Sequence, residues 1–290
     1  MSSATSLSFI PVLSRLSPLV IRVLGCNPGT MTLQGTNTYL VGHGPQRILI
    51  DTGDGQKPEY NQALSKILRE ERAGIHSIIL THWHLDHVGG LANVLKQAGD
   101  SCRVFKFPRV GDSLEVTSRA SPITDRQTFA VEGATLTAWH TPGHTVDHVV
   151  LHLQEENALF SGDCILGEGT GVFEDLYEYM NSLSRIAKQK PALIYPAHGA
   201  VIPDPVHKIQ YYIQHRKERE EQILAVLADE NQVGGFTPLD FVKRIYKTTP
   251  EKLHDAAAKN VSQHLSKLVK EGRVRKVTDS ANGFELAQPH

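Results

Sequence analysis

From residue 20 to about residue 204 the chain alternates short apolar runs with glycine-containing turns, the pattern of a sheet-based fold. Residues 21–24, 37–41 and 47–50 read as strands of a meander, punctuated by Asn27-Pro28-Gly29, Gly35 and Gly42-His43-Gly44-Pro45. Further strands are expected at 77–80, 103–105, 135–139, 149–153, 158–160 and 193–195. Between them the apolar spacing changes to three and four. Leu64, Ile67 and Leu68 line one face of a helix predicted at 60–71, and a second helix follows at 91–98. Beyond Pro203-Asp204-Pro205 the period is helical, with one long helix expected at 208–228. Its apolar side carries Ile209, Ile213, Ile223 and Leu227, while Arg216, Lys217, Glu218 and Glu220 are expected in solvent. Thr237-Pro238 supplies an N-cap and first-turn pair for a helix to residue 246. Residues 251–271 give one or two more helices closed by Gly272, and 274–277 with 284–286 form a hairpin around Asp279-Ser280-Ala281-Asn282-Gly283. Helices followed by a two-stranded ribbon predict a small winged-helix-like module. The expected division is a flexible 1–19, a sheet domain at 20–204 and a helical domain at 205–290.

What the strands run into changes the picture. Ser77-Ile78-Ile79-Leu80 leads directly into Thr81-His82-Trp83-His84-Leu85-Asp86-His87-Val88-Gly89-Gly90. Imidazole and carboxylate are ligands that a zinc ion accepts, and His82, His84, Asp86 and His87 this close would repel or protonate one another without a cation between them. A lone histidine in a turn is ordinarily just solvated, but this cluster is not a lone histidine. The arrangement recurs, since Asp51-Thr52-Gly53, Pro142-Gly143-His144-Thr145, Ser161-Gly162-Asp163 and Ala197-His198-Gly199 each follow a predicted strand. Such strand ends can converge on one sheet edge, where open sheets keep their active sites. The inventory supports two adjacent cations, one on His82, His84 and His144, the other on Asp86, His87 and His198, with Asp163 between them. Asp51 reads either as a turn cap or as a hydrogen-bonding partner that orients a liganding histidine. His140 and His148 flank His144 at ligand-like spacing but lie in or beside strands, and the remaining histidines show no convergent setting.

Composition bounds the rest. With 290 residues, 40% hydrophobic, 21% charged and a formal net charge of −1, the chain has room for a large core and a small one and the make-up of a soluble globular protein. No stretch approaches the roughly eighteen uninterrupted apolar residues of a spanning helix. Cys26, Cys102 and Cys164 are odd in number and widely spaced, which argues against a disulfide framework or a cysteine-based zinc site and favours a reducing compartment. No Asp or Glu occurs from Met1 to Ile50, where serines accompany Arg15 and Arg22. That is the composition of an organelle transit segment or, alternatively, of a short lead into the first strand. From Pro205 onward fourteen Lys and Arg face eleven Asp and Glu, a net +3 against −4 for the preceding part. Lys267, Lys270, Arg273, Arg275 and Lys276 gather near the expected wing, either to track nucleic-acid phosphates or to complement a helix C-terminus.

The ordered set Asp51-Thr52-Gly53, Thr81-His82-Trp83-His84-Leu85-Asp86-His87, Pro142-Gly143-His144-Thr145, Gly162-Asp163 and Ala197-His198-Gly199 resembles the motifs of the metallo-β-lactamase superfamily over about residues 20–203. The resemblance implies an α/β fold, a four-layer αββα sandwich with a site for two Zn²⁺ ions at its edge. It implies His82, His84, Asp86, His87, His144, Asp163 and His198 as ligands and Asp86, Asp163 and Asp51 as the carboxylates of catalysis. Val23-Leu24-Gly25-Cys26-Asn27-Pro28-Gly29, Gly35-Thr36-Asn37-Thr38-Tyr39-Leu40, Ser161-Gly162-Asp163-Cys164-Ile165-Leu166-Gly167 and the C-terminal module are similar to the glyoxalase II-like group and to its mitochondrial endoribonucleases. That likeness implies a zinc-dependent endoribonuclease acting on phosphodiester bonds of single-stranded RNA, in the mitochondrial matrix or else the cytosol. A zinc pair would lower the pKa of water so that hydroxide attacks at neutral pH, and the basic C-terminal residues would hold the strand. Two other readings stand: a glyoxalase II-like thioester hydrolase using the same hydroxide, and a nucleic-acid-binding protein on a hydrolase-like scaffold. The interval between Asp163 and His198 is too short for the inserted domain of the β-CASP nucleases.

Overall fold

Successive strand residues point into two different cores, and that alternation builds the fold. The computed structural model describes residues 7–228, 236–247, 250–251, 254–277 and 283–287. The first sheet has seven strands in chain order: β1 (Leu13–Arg15), β2 (Val20–Leu24), β3 (Asn37–Val41), β4 (Gln46–Ile50), β5 (Gly74–Leu80), β6 (Arg103–Lys106) and β7 (Ala120–Pro122). It is antiparallel from β1 to β4 and parallel from β4 to β7. Parallel neighbours need crossovers, which are supplied by α1 (Pro58–Glu70), by α2 (Leu85–Val88) with α3 (Leu91–Ala98), and by α4 (Leu114–Arg119). The second sheet contains β8 (Thr128–Val131), β9 (Ala134–His140), β10 (Val149–Leu153), β11 (Ala158–Gly162) and β12 (Leu193–Pro196), in the spatial order β12-β11-β10-β9-β8. Only β11 and β12 run parallel, joined through α5 (Leu176–Gln189).

On β5, Ile79 packs with Ile48 and Ile50 of its own sheet and with Leu136, Leu151 and Phe160 of the other. Ile78 and Leu80 point the opposite way, onto Leu64 and Ile67 of α1 and Leu91 and Val94 of α3. On the far side Val150, Leu159 and Ile194 meet Leu176, Leu183 and Ile186 of α5 and Ile209 of α6 (Pro205–Leu227). The four-layer αββα sandwich expected from the sequence is what these packings make. The later turns of α6, with α7 (Pro238–Ile245), α8 (His254–Lys270) and the hairpin β13 (Val274–Lys276) and β14 (Phe284–Leu286), enclose a separate cluster of Ile223, Leu227, Phe241, Val261, Leu265 and Phe284. Thr237 and Asp240 close a capping box at the start of α7. Residues 279–282 of the expected hairpin turn lie outside the described residues.

Three expectations are corrected. Helix α5 has no counterpart among the elements read from the sequence, although Leu176, Tyr179, Met180, Leu183 and Ile186 carry helical spacing and Asp175 caps it by accepting from the N–H groups of Tyr177 and Glu178. The tract before residue 20 is not all leader, because β1 pairs with β2, Leu13 lying opposite Val23, and Ser8 donates to the Glu168 carboxylate. Helix α6 begins at the expected division, residue 205, and serves both the second sheet and the C-terminal cluster. Where that face of α6 passes from one core to the other, Arg216 and Glu220 are 3% and 5% exposed rather than solvated.

Candidate metal centre

Five chain segments leave the two sheets at one edge, and each brings a donor or a support. β4 runs into Asp51, β5 into His82 and the single turn α2 with Asp86 and His87, β9 into the turn of His144, β11 into Asp163 and β12 into His198. Asp51 has φ 61°, sparsely populated for a residue with a Cβ. Its carboxylate holds it there by accepting the Thr81 N–H and O–H, each at 2.8 Å. Gly143 has φ 133°, and a Cβ on it would stand 2.3 Å from Tyr179 Cα, so only glycine lets the His144 turn close against α5.

Hydrogen bonds fix the tautomers of the first donor group. Thr81 Oγ1 gives its proton to Asp51, so it accepts from His82 Nδ1 at 3.0 Å and leaves a lone pair on His82 Nε2. His144 Nδ1 donates to the Val172 carbonyl at 2.8 Å, which leaves the His144 Nε2 lone pair. These two nitrogens face each other at 3.3 Å, and His84 Nδ1 lies 3.0 and 3.2 Å from them. A tetrahedral site with zinc–nitrogen bonds of about 2.0–2.1 Å has edges of about 3.3 Å. Converging lone pairs at that spacing are repulsive until a cation stands between them.

The second group is Asp86, His87 and His198. His87 Nδ1 donates to Asp51 at 2.8 Å, turning Nε2 inward to lie 3.2 Å from Asp86 Oδ2. His198 Nε2 is also 3.2 Å from Asp86 Oδ2. Asp163 divides its oxygens between the groups: Oδ2 lies 3.5 Å from His144 Nε2 and 3.9 Å from His82 Nε2, while Oδ1 lies 3.2 Å from His198 Nε2 and 3.6 Å from His87 Nε2. His87 Nε2 and Asp163 Oδ1 are buried and have no hydrogen-bond partner, a costly state unless a ligand completes them. The residues therefore fit a pair of divalent cations sharing Asp163. His82, His87, His144 and His198 are at most 2% exposed, whereas His84 and Asp86 are partly open to solvent.

Without cations the protons redistribute. Burial, together with the neighbouring imidazoles, holds His82 well below the ordinary histidine range and lowers His84 to about 4. Burial also opposes charge on His87 and His198, but carboxylates outweigh it, Asp86 and Asp51 raising His87 well above its usual value and Asp163 raising His198 to about 9. Burial likewise works against ionised Asp86 and Asp163, and the surrounding imidazoles overcome it to hold both far below the carboxylate range. Protons on His87 and His198 thus occupy the role that cations would take.

The seven side chains singled out as ligands come together, while Asp51 sits behind them, 1% exposed and in contact with Thr81 and His87. Sequence reasoning overlooked several supports. His148 Nε2 accepts the Asp163 N–H at 3.1 Å and its Nδ1 meets Thr141 Oγ1 at 3.0 Å; the pair of histidines four apart was its only signal. Thr36 Oγ1 donates to Asp86 at 3.0 Å, and Asn37 Nδ2 ties down the carbonyls of Pro196 and Gly199 around His198. Asp147, fully buried, pairs with Lys106 Nζ at 2.7 Å and pins the His144 turn to β6. His140 turns away, bonded to the Val146 carbonyl and stacked on Phe107. In the basic cluster Lys267 is corrected: it is 7% exposed and paired with Glu220 and Glu271, not offered to a partner. Lys270 pairs with Asp175 at 2.6 Å and Arg275 with Glu285 at 2.6 Å, Arg273 is half exposed, and Lys276 is exposed.

An αββα sandwich carrying two such donor groups at its edge defines a class, and the chain belongs to the metallo-β-lactamase superfamily, whose description matches residues 31–198. Members of that superfamily are metal-dependent hydrolases. A Beta-lactamase associated winged helix domain matches residues 237–283. The chain is 51% identical to the Beta-lactamase-like protein 2 homolog of Drosophila melanogaster, over 98% of this chain and 99% of that one. It is 45% identical to the protein of the same name from Caenorhabditis elegans, over 93% and 90%. The crystal structure of a Beta-lactamase domain protein from Burkholderia ambifaria superposes with TM-score 0.77 at 17% identity, covering 96% of this chain and 93% of that one. A metallo-beta-lactamase family protein from Thermus thermophilus gives 0.69 at 23%, covering 94% and 100%, and both likenesses concern the fold.

Proposed function

We propose that the protein is a zinc-dependent endoribonuclease that hydrolyses phosphodiester bonds of single-stranded RNA. The observation that supports it best is the division of Asp163 between two donor groups, because an in-line displacement at phosphorus needs charge compensation at both the attacking and the leaving oxygen. The ligands would be His82, His84, His144 and Asp163 for one Zn²⁺ and Asp86, His87, His198 and Asp163 for the other. When bound, the ions make hydroxide available from water at neutral pH and offset negative charge on the phosphoryl oxygens. The chain's own residues then orient and exclude. Asp51 and Val172 set the imidazole planes of His87 and His144, and His148 holds the Asp163 backbone. Asp86, partly exposed and held ionised by His87 and His198, accepts from Thr36 on one side and can orient the nucleophile by accepting a hydrogen bond from it on the other. No Ser or Cys nucleophile is required, and burial pushes the nearby Cys164 thiol well above its usual range, away from thiolate chemistry.

RNA as substrate is supported by the resemblance in the glycine-rich turns and by exposed Arg273 and Lys276 on the C-terminal hairpin. A mitochondrial-matrix address belongs to the same proposal, supported by the acid-free stretch to Ile50, and imaging a tagged full-length chain tests it. Among the described residues no helix is long and apolar enough to cross a membrane. The activity is tested by incubating zinc-loaded protein and its His82→Ala variant with single-stranded RNA, single-stranded DNA and an acyl-glutathione thioester. Metal-dependent cleavage of RNA by the parent alone is the expected result. Thioester turnover without RNA cleavage would move the assignment to the glyoxalase II-like reaction, and RNA binding that survives chelation with no turnover would leave only a binding scaffold.

A further inference from the structure

We propose that the cleft between the catalytic domain and the C-terminal module is a phosphate-binding subsite, in which Arg219 and Lys259 seat the backbone of a single-stranded polyanion. The identification of that polyanion as RNA rests on the activity proposed above; the binding site itself rests on the following geometry. The cavity measures about 810 Å³. One wall is the segment 170–173, and its Val172 carbonyl is the acceptor that orients His144, so the wall is the back of the first donor group. The opposite side is formed by α8, which presents exposed Lys259, and by Tyr246, whose ring carries the Arg219 guanidinium 4.0 Å from its centroid. Such a planar stacked pair offers a surface for an unpaired base beside a fixed positive charge.

The charge of the lining is one-sided. Arg216, Arg219 and Lys259 face the cavity with His215 and His264, and no Asp or Glu among the described residues lines it. One lining group is deeply buried and incomplete: Arg216 is 3% exposed, yet its Nε has no hydrogen-bond partner, whereas His264 Nδ1 is turned toward Glu220, 3.7 Å away. A buried donor of this kind calls for an acceptor. Arg216 also donates from Nη2 to the Gly171 carbonyl at 3.1 Å, holding the wall next to His144, so its role is structural as well. Glu220 lies behind His264 and is already paired with Lys267 at 2.9 Å. An anion entering this cleft meets the Arg219 guanidinium and the Lys259 ammonium opposite the wall of residues 170–173.

The test uses the full chain with its metals chelated, so that binding is read without turnover. A fluorescein-labelled oligouridylate is titrated by anisotropy at several salt concentrations against the parent, Arg219→Gln/Lys259→Gln and Lys259→Arg, after matched thermal unfolding confirms that all fold. The double variant should bind about tenfold more weakly or worse, with a log–log salt slope shallower by about 1.4, which is two lost contacts at about 0.7 each for a single strand. Lys259→Arg should keep the parent slope. Parent-like affinity and slope in the double variant, or no binding by the parent, would overturn the subsite. Hydrolysis of bis(p-nitrophenyl) phosphate by the zinc-loaded forms separates the two claims, because this small diester carries no strand for Arg219 and Lys259 to seat and its turnover should be unchanged in the double variant. A parent that binds the strand through Arg219 and Lys259 but cleaves neither RNA nor the diester would keep the subsite and remove the nuclease.

Discussion

The Asp51 carboxylate lies 2.8 Å from His87 Nδ1 and also takes both protons of Thr81, whose hydroxyl in turn receives His82 Nδ1. One buried acid therefore aims a nitrogen at each of the two cation positions. Asp51→Asn preserves the shape but removes the charge that raises donor basicity. It should keep the fold and lower metal affinity by about 10–100-fold, measured by competition with a chromophoric chelator. Parent-like affinity would mean that Asp51 is only a turn cap.

His148 acts on the bridging residue from behind. His148→Ala leaves the buried Asp163 N–H without its acceptor, which should cost about 1–3 kcal/mol of stability and reduce activity by about 10–100-fold. His148→Gln supplies an acceptor again and should recover part of both losses. Equal defects in the two variants would point to lost packing instead.

Proton and cation compete for the same nitrogens, which gives opposite pH dependences to the two forms of the protein. In the chelated protein, His198 rises from 6.5 to about 9. A group raised on folding stabilises fully below its unfolded value, and its contribution is lost as pH climbs through the folded one. The melting temperature of chelated protein should therefore fall between about pH 6.5 and 9. With zinc bound the imidazole is a lone-pair donor, so metal affinity should strengthen over the same window as fewer protons must be released. Melting curves collected with and without chelator decide this, and parallel curves would contradict it.

Lys267 and Arg275 both belong to the basic cluster read from the sequence, but they should behave differently. Lys267 is buried against Glu220, so Lys267→Met strands a carboxylate and should destabilise by about 3–5 kcal/mol. Arg275 is 58% exposed on the hairpin, and Arg275→Gln should change stability by no more than about 0.5 kcal/mol. Urea unfolding of the two variants measures the contrast, and equal effects would mean that Lys267 is solvated after all.

Much of this architecture was legible because strands end in chemistry. Short apolar runs such as β5 announce a sheet, and a donor after each run announces an edge. The supports were less visible because their roles exist only across long sequence separations: Thr36 meets Asp86, and Asn37 meets Pro196 and Gly199, through contacts that no local period encodes. Arg216 and Glu220 misled for a related reason. Charged residues amid a helical pattern read as a solvated face, whereas α6 carries them across the junction of two cores. Helix α5 carries a readable period in Leu176, Tyr179, Met180, Leu183 and Ile186 and an N-cap in Asp175, so it is the one missed element that local spacing does encode.

The account depends on two cations sharing Asp163, and anomalous diffraction at the zinc edge from zinc-loaded crystals tests that most directly. Two peaks about 3.5–4 Å apart are predicted, one beside His82, His84 and His144, the other beside Asp86, His87 and His198, with Asp163 touching both. A single peak at saturating zinc, or a pair with Asp163 bound to only one of them, would contradict it.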